Sequence, residues 1–538
     1  MSAQALEQAL NFVGGRWLPG VTGRTFEDRN PADRGDLVGT FPLSSAEDVD
    51  SAVRAARAAF PAWAATPAPE RGKIIWAAGR LMEERKEELA ATATREMGKI
   101  LLETRGDVQE GIDTAYYMGG EARRMFGVTT PSELPSKFAM SVRRPLGVAA
   151  VISPWNFPMA IPTWKIFPAL LCGNAVVFKP ASDAPATAWA LVRILEEAGV
   201  PAGVVNLVFG SGSEAGAALV EHPEVDVVSF TGSAETGRQL GESCGRRLKR
   251  LSLELGGKNP QIVMADADLR LALEGAVWGA FGTTGQRCTA TSRLIVHRPV
   301  LAEFTARLVE RAQTLRLGHG LEPATEVGPL VSDVARERVA EYVRIGVEED
   351  GADLLTGGGV PVGGIFNRGS FFEPTVFGGV TPDMRIAQEE IFGPVVSIIA
   401  VDSFDEAIAV ANSTRYGLSS SIYTRDVNAA FRAIEQIDAG ITYVNGPTIG
   451  AEVHLPFGGT RDTGNGHRES GTEVLNVFSE WKSVYVDYSE RLQRAQIDTG
   501  LPGGPAGVAT AGDDRVGEPR EAQTDEIGGG SHGAGRGD

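Results

Sequence analysis

A chain of 538 residues is too long for a single core, so two or more domains with a cleft between them are expected. The composition is 43% hydrophobic and 22% charged, a globular profile, and no uncharged apolar run is long enough to span a bilayer. With 51 basic against 69 acidic residues the net charge is −18, which argues against nucleic acid as a partner, since phosphate binding draws on clustered excess Lys and Arg.

The opening "MSAQALEQALNF" carries a glutamate and lacks the basic-then-apolar order of a signal peptide, so the cytoplasm is the expected location. From about Ala46 to Met125 the chain is rich in Ala, Glu, Arg and Leu at helical spacing. From Gly147 the texture changes to short apolar runs, "GVAAVIS", "NAVVFK", "GVVNLVF", "VDVVSF" and "RLSLEL", alternating with helical segments. That alternation predicts a parallel sheet covered on both faces, with ligands at the carboxyl ends of its strands. Between about Gly257 and Leu455 a second α/β region is expected, with strands at "SRLIVH", "VVSIIA", "SSSIYT" and "ITYVN". "SVRRPLG" and "NVFSEWKSVYVDYS" flank these regions as further strands. From Thr499 the chain is rich in Gly, Pro and charge, too poor in large apolar residues to offset its ordering entropy, and disorder is expected. Its G-x-S-x-G match, Gly529–Gly533, lacks the strand and helix such an elbow needs.

Three cysteines, Cys172, Cys244 and Cys288, show no disulfide or metal spacing, and six histidines lack HExxH or paired-ligand spacing, so no metal site is indicated. Cys172 in "PALLCGNAVVF" reads as inert packing, and Cys244 in "GESCGRR" as the end of a helix. Cys288 differs. In "FGTTGQRCTATSR" a glycine-rich approach lets backbone come close, and Arg287 adjoins the thiol. Taken alone, a Gly-flanked cysteine is more often structural than catalytic. Other segments end strands with chemically useful groups: Glu254 in "LELGGKNP", and Asn156 in "ISPWNFP", whose amide would donate to an oxyanion or merely brace a turn. "FTGSAETG" joins a strand to a helix whose N-terminal amides would receive a pyrophosphate. "GSGSEAG" (Gly210–Gly216) is one residue off G-x-G-x-x-G.

Seven short motifs in order, "PWNFP", "FKPA", "FTGS", "LELGGKNP", "GQRCTA", "EEIFGPV" and "PFGG", closely resemble the NAD(P)-dependent aldehyde dehydrogenase superfamily over about residues 11 to 490. The resemblance implies an α/β fold with a Rossmann-type cofactor domain (1–122 and 146–256), an α/β catalytic domain (257–455) and a β-strand oligomerisation arm (123–145 and 456–490), ahead of the 499–538 tail. It also implies a homodimer or homotetramer acting on a small aldehyde.

In that reading Cys288 is the nucleophile, which requires a site able to lower a thiol pKa of about 8.5. Asn156 and the Cys288 N–H would stabilise the thiohemiacetal oxyanion, and Glu254 would activate the water that hydrolyses the thioester. Relatives that pass the acyl group to coenzyme A do not depend on such a base, and a pure scaffold would not need the three together. Cofactor residues carried over are Pro154, Trp155, Lys179, Gly212, Thr231, Gly232, Ser233, Gly237, Glu390 and Phe392. Ser182 stands where NAD-preferring members often carry glutamate, so NAD is expected with NADP accepted.

Arg287 and Glu110, with "NGPTIGAE", resemble the branch that includes α-aminoadipic semialdehyde dehydrogenase, and Phe457 would border the substrate. His454 and Leu455 depart from the small pair that would suit an aminoadipate carboxylate. Two readings of Arg287 stand: an anchor for an anionic substrate group, or a partner of Glu110 or another acid that shapes the loop.

Overall fold

The computed structural model describes residues 9–497. These divide into a large unit, residues 9–127 with 141–482, and a small one, residues 128–140 with 483–497. The expected tail at 499–538 lies outside the described residues.

The large unit holds two seven-stranded sheets. The first runs in the order Arg250–Glu254, Val227–Thr231, Val148–Ile152, Ala175–Lys179, Val205–Leu207, Asn11–Val13, Arg16–Leu18. Its first five strands are parallel and nearly all buried, as continuous apolar runs demand when helices cover both faces. Strand order reverses beside Val148–Ile152, so the crevice outside the carboxyl ends of that strand and Val227–Thr231 is the place where a sheet of this kind takes a ligand. The N-terminal hairpin Asn11–Val13 and Arg16–Leu18, antiparallel to Val205–Leu207, was not expected as part of this sheet.

The second sheet runs Asp353–Thr356, Thr375–Gly378, Val395–Val401, Thr291–His297, Asn259–Val263, Ser419–Tyr423, Ile441–Val444. The four strands expected from sequence are present, and three more join them. Asn259–Val263 escapes a pattern reading because Pro260 interrupts it, and the register shifts at that point. The other two are only four residues long.

Helix Leu101–Glu121 packs against Ala68–Glu84 and Ala160–Cys172. It places Glu103, Asp107 and Glu110, at spacings of four and three residues, along one face. In the small unit, Thr129–Pro131 pairs antiparallel with the start of the strand Lys137–Pro145, which is flanked in turn by the end of Ser479–Asp487.

Candidate active site

Cys288 follows a turn that the sequence makes difficult. Helix Leu269–Phe281, capped at its start by Asp268, ends in Gly282–Gly285, where Thr283 (φ +52°) and Thr284 (φ +57°) lie in the left-handed region unfavourable to β-branched residues. Gly285 continues at φ +68°, and a Cβ there would run into the Gly393 carbonyl. Buried hydrogen bonds hold this strain in place. The Thr283 N–H donates to Glu103 Oε1 (2.6 Å), Thr284 Oγ1 donates to the Gly328 carbonyl (3.0 Å), and Gln286 Oε1 accepts the Val331 N–H (2.9 Å). Beyond the turn, Asn259 Nδ2 donates to the carbonyls of Cys288 (2.8 Å) and Ala290 (2.9 Å). The thiol therefore projects from a rigid backbone.

Cys288 is partly exposed, and two cavities meet at it. One, of about 100 Å³, is walled by Phe157, Ile161, Trp164, Ile449 and Phe457, with Glu110, Glu254 and Arg287 among its polar groups. The other, of about 200 Å³, is walled by Pro154, Trp155, Asn156, Gly232, Ser233, Glu390 and Phe392. Thr231 and Leu255 line both.

Glu254 ends the strand Arg250–Glu254, is 3% exposed, and has no hydrogen-bond partner for either carboxylate oxygen among the described residues. Burial, reinforced by the neighbouring Glu469, pushes its pKa well above the carboxylate range, against the opposing pull of Lys165 and Arg468. Glu469 is itself paired with Lys165, which also donates to Ser229 Oγ at 3.0 Å. The Cys288 thiol is pushed up to about 12, first by burial and then by the charges of Glu254 and Glu390. This corrects the expectation of a lowered thiol pKa: Arg287 adjoins Cys288 in sequence but its charge is spent elsewhere. Asn156 Nδ2 donates to the Gln286 carbonyl at 3.1 Å, so its amide is tied to the loop that carries Cys288.

On the second cavity, Ser233 caps helix Ala234–Arg246 by accepting the Thr236 N–H (3.2 Å). Glu390 Oε1 accepts the Gly257 N–H (3.0 Å), an approach that needs glycine next door, since a Cβ on Gly256 would collide with the same carboxylate. Trp155 and Phe392 meet edge to face at 5.6 Å. Lys179, Ser182 and Gly212 do not line this cavity. Ser182 Oγ donates instead to the Gly210 carbonyl (3.2 Å) and Lys179 Nζ to the Pro180 carbonyl (2.7 Å). Gly237 sits inside its helix against Leu255.

Arg287, Glu110 and Phe457 do share the first cavity, and of the acids left open as partners of Arg287 the one it meets is Glu103 rather than Glu110. Arg287 Nη2 donates to Glu103 Oε1 (3.2 Å) and Nε to Thr283 Oγ1 (2.8 Å), with the guanidinium between the rings of Phe157 and Trp278. Glu110 makes no ion pair among the described residues, and burial, reinforced by Asp107 and opposed by the more distant charges of Lys99 and Arg287, raises its pKa to about 8. Lys165, Glu469, Glu103 and Trp164 were not singled out from sequence. The one-face spacing of Glu103, Asp107 and Glu110 was a usable signal, as was a lysine inside the largely apolar helix Ala160–Cys172. Glu469, in a loop, had none.

A profile described as the aldehyde dehydrogenase family matches residues 17–484. The α-ketoglutaric semialdehyde dehydrogenase of Bacillus subtilis (strain 168) is 43% identical over 477 residues, covering 89% of this chain and 98% of that protein. The 2,5-dioxopentanoate dehydrogenase of Saccharolobus solfataricus is 42% identical over 473 residues, covering 87% and 98%. Among solved structures, betaine aldehyde dehydrogenase from Staphylococcus aureus in complex with NAD+ superposes with a TM-score of 0.88 at 34% identity, covering 90% of this chain and 96% of that one.

Proposed function

Because the chain belongs to the aldehyde dehydrogenase family, we propose that it oxidises a semialdehyde bearing a carboxylate to the corresponding diacid, with NAD as oxidant and Cys288 as nucleophile. The observation that carries this reading is the position of Cys288 where two cavities meet, one able to hold an aldehyde and the other a nicotinamide. The residues fit NAD: the Ser233-capped helix presents its N-terminal end to a pyrophosphate, Thr231 Oγ1 is buried without a hydrogen-bond partner among the described residues, and Glu390 stands ready for a ribose. Lys179 and Ser182 would lie toward the adenosine. NAD bound there supplies the acceptor for the hydride lost by the substrate carbon.

The remaining chemistry belongs to the chain. The Cys288 thiol gives its proton to solvent, its sulfur adds to the carbonyl carbon, and charge gathers on the carbonyl oxygen. Asn156 Nδ2, swinging from the Gln286 carbonyl, and the Cys288 N–H would receive that oxyanion. After oxidation a thioester links substrate to Cys288. Glu254, uncommitted to any hydrogen bond, takes a proton from water, which attacks the thioester and releases the acid. The high pKa of Glu254 suits a base working near neutrality, and its lack of partners leaves it free to move between roles.

Arg287 supports the carboxylate. Its Nε and Nη2 are engaged, yet among the described residues Nη1 makes no hydrogen bond, while the side chain lines the cavity. Both readings offered by the sequence have support: Glu103 shapes the loop through Arg287, and the arginine is among the residues lining the cavity that would hold the aldehyde. The names of the B. subtilis and S. solfataricus relatives point the same way.

The domain partition carried by the family resemblance, 1–122 with 146–256, 257–455, and 123–145 with 456–490, is part of this proposal. So is a homodimer or homotetramer, supported by the exposed Tyr485, Val486 and Tyr488 near the end of the last strand. All three cysteines are free, which suits a reducing compartment and the proposed cytoplasmic location. The test is NADH formation from semialdehyde acids, alkanals and betaine aldehyde without phosphate or coenzyme A, with NAD and NADP at equal concentration. Preference for semialdehyde acids with NAD, and measurable turnover with NADP, is expected. No NADP turnover refutes the tolerance attributed to Ser182, and no preference among aldehydes refutes the carboxylate anchor.

A further inference from the structure

Lys99 is fully buried in the turn between helices Lys86–Met97 and Leu101–Glu121, and it lines neither of the two cavities. Its backbone is held by close approaches that only glycine permits: Gly98 turns at φ +91°, and Cβ atoms on Gly320 and Gly328 would run into the carbonyls of Lys99 and Gly98. The Gly328 carbonyl also accepts the Thr284 hydroxyl, so the turn at Gly98 and Lys99 abuts the loop that clamps the approach to Cys288. At the far end of the side chain, the ammonium lies 3.7 Å from the centroid of the Phe157 ring, the closest approach of a cation to a ring among the described residues. Asp107 Oδ2 stands 3.7 Å from the same ammonium, beyond hydrogen-bond reach, while Asp107 Oδ1 accepts the Ala160 N–H at 2.8 Å. Residues 153–159 belong to no strand or helix, so these attachments at Phe157 and Ala160 hold the segment that presents Asn156.

A buried ammonium with no hydrogen-bond partner among the described residues is costly, and a neutral side chain of the same length would fill the space with less penalty. What the charge adds is a directional hold on a ring face, stronger where water is excluded. The acids along helix Leu101–Glu121 favour the charged form: burial lowers the Lys99 pKa and Arg287 adds to that, while Asp107, Glu103 and Glu110 oppose both.

We propose that Lys99 is a positioning residue: by holding the Phe157 ring from the turn that also braces the Cys288 loop, it fixes the backbone of Asn156 at the distance from Cys288 that a thiohemiacetal oxyanion requires. This rests on the proposed roles of Cys288 and Asn156. Lys99 itself meets neither reacting atom and acts through Asn156, whose donor is effective only when its place is set before the charge develops.

The test is made in a Glu254→Gln background, where NADH from saturating aldehyde appears as one burst whose amplitude counts working sites and whose rate reports the steps up to the thioester. Lys99→Met, close in length and neutral, should slow the burst by about 10- to 100-fold for 5-oxopentanoate and hexanal alike, with its amplitude and the Kd for NAD held within about twofold. In a further Asn156→Ala background the same substitution should change the rate by no more than about twofold, because the donor it positions is already gone. A loss of amplitude without a loss of rate, or an equal slowing with and without Asn156, would make Lys99 a packing residue and overturn the proposal. Should Lys99→Met fold poorly, Lys99→Met with Asp107→Asn, which removes both buried charges and keeps an acceptor for the Ala160 N–H, carries the same comparison. If Glu254→Gln shows no burst, or Asn156→Ala leaves the burst rate unchanged, the proposed chemistry of the site fails and this proposal with it. If both behave as described and Lys99→Met does not alter the rate, only the role of Lys99 fails.

Discussion

Arg287 donates to Glu103 across 3.2 Å in a pair whose side chains are only 11% and 2% exposed, and the same Glu103 oxygen accepts the Thr283 N–H. One carboxylate thus steadies the strained turn before Cys288 and aims the arginine beside it. Arg287→Ala should raise KM for semialdehyde acids by roughly 10-fold or more, far more than for hexanal, as loss of a charge-assisted contact predicts. Glu103→Ala should instead depress turnover of every aldehyde and cost about 3–5 kcal/mol in urea denaturation, since it strands a buried cation and a turn amide. Equal effects of Arg287→Ala on acids and hexanal would remove the anchor.

Glu254→Gln should separate oxidation from hydrolysis. The amide cannot take a proton from water, so steady-state turnover should drop about 10²–10⁴-fold while the first turnover survives. Stopped-flow absorbance would then show an NADH burst equal to the subunit concentration, followed by a slow phase. Because burial and Glu469 hold the Glu254 carboxyl above its ordinary range, the hydrolytic rate in the wild-type enzyme should still be climbing with pH above the ordinary carboxylate range. A variant with normal steady-state turnover would dismiss Glu254 as the base.

The cofactor-free enzyme should alkylate slowly. With the Cys288 thiol pushed up to about 12 by burial, Glu254 and Glu390, the reactive thiolate is scarce near neutrality. Mass spectrometry of iodoacetamide adducts on Cys288 should show a rate still increasing beyond about pH 9. A plateau below about pH 8 would contradict the electrostatics described for the free site.

Glu110 makes a prediction about stability. Its folded carboxyl titrates at about 8, against about 4.5 when unfolded, so between these values only the folded state holds the proton. Stability contributed by this group is therefore present below the lower value and is lost as pH rises toward the upper one. Glu110→Gln keeps the shape of the neutral acid and cannot titrate. Its stability relative to wild type should grow from about pH 5 to about pH 8 and then level off, measured by urea denaturation at each pH. A difference independent of pH would show that Glu110 is ionised in the folded protein.

Much of this was legible in the residues themselves. Continuous apolar runs ended by Ile152, Thr231 and Glu254, the first followed by Asn156, marked parallel strands whose carboxyl ends face a crevice, because strand burial and strand ends are written locally in sequence. Glycines around Cys288 announced an unusual backbone there, and the ordered motifs named the family. The hairpin at Asn11–Leu18 and the strand interrupted by Pro260 were not legible, because short pieces acquire strand character only from the neighbour they pair with.

Tertiary structure alone decided the partners. Arg287 belongs to Glu103, 184 positions away, rather than to Glu110, and Lys165 belongs to Glu469, 304 positions away. The same folding left Cys288 with a raised pKa and Glu254 with no hydrogen-bond partner among the described residues. A sequence specifies which groups are present and how each short segment prefers to bend. Charge pairing, burial and unmet hydrogen bonds depend on distances through space, and those exist only once remote segments have packed against one another.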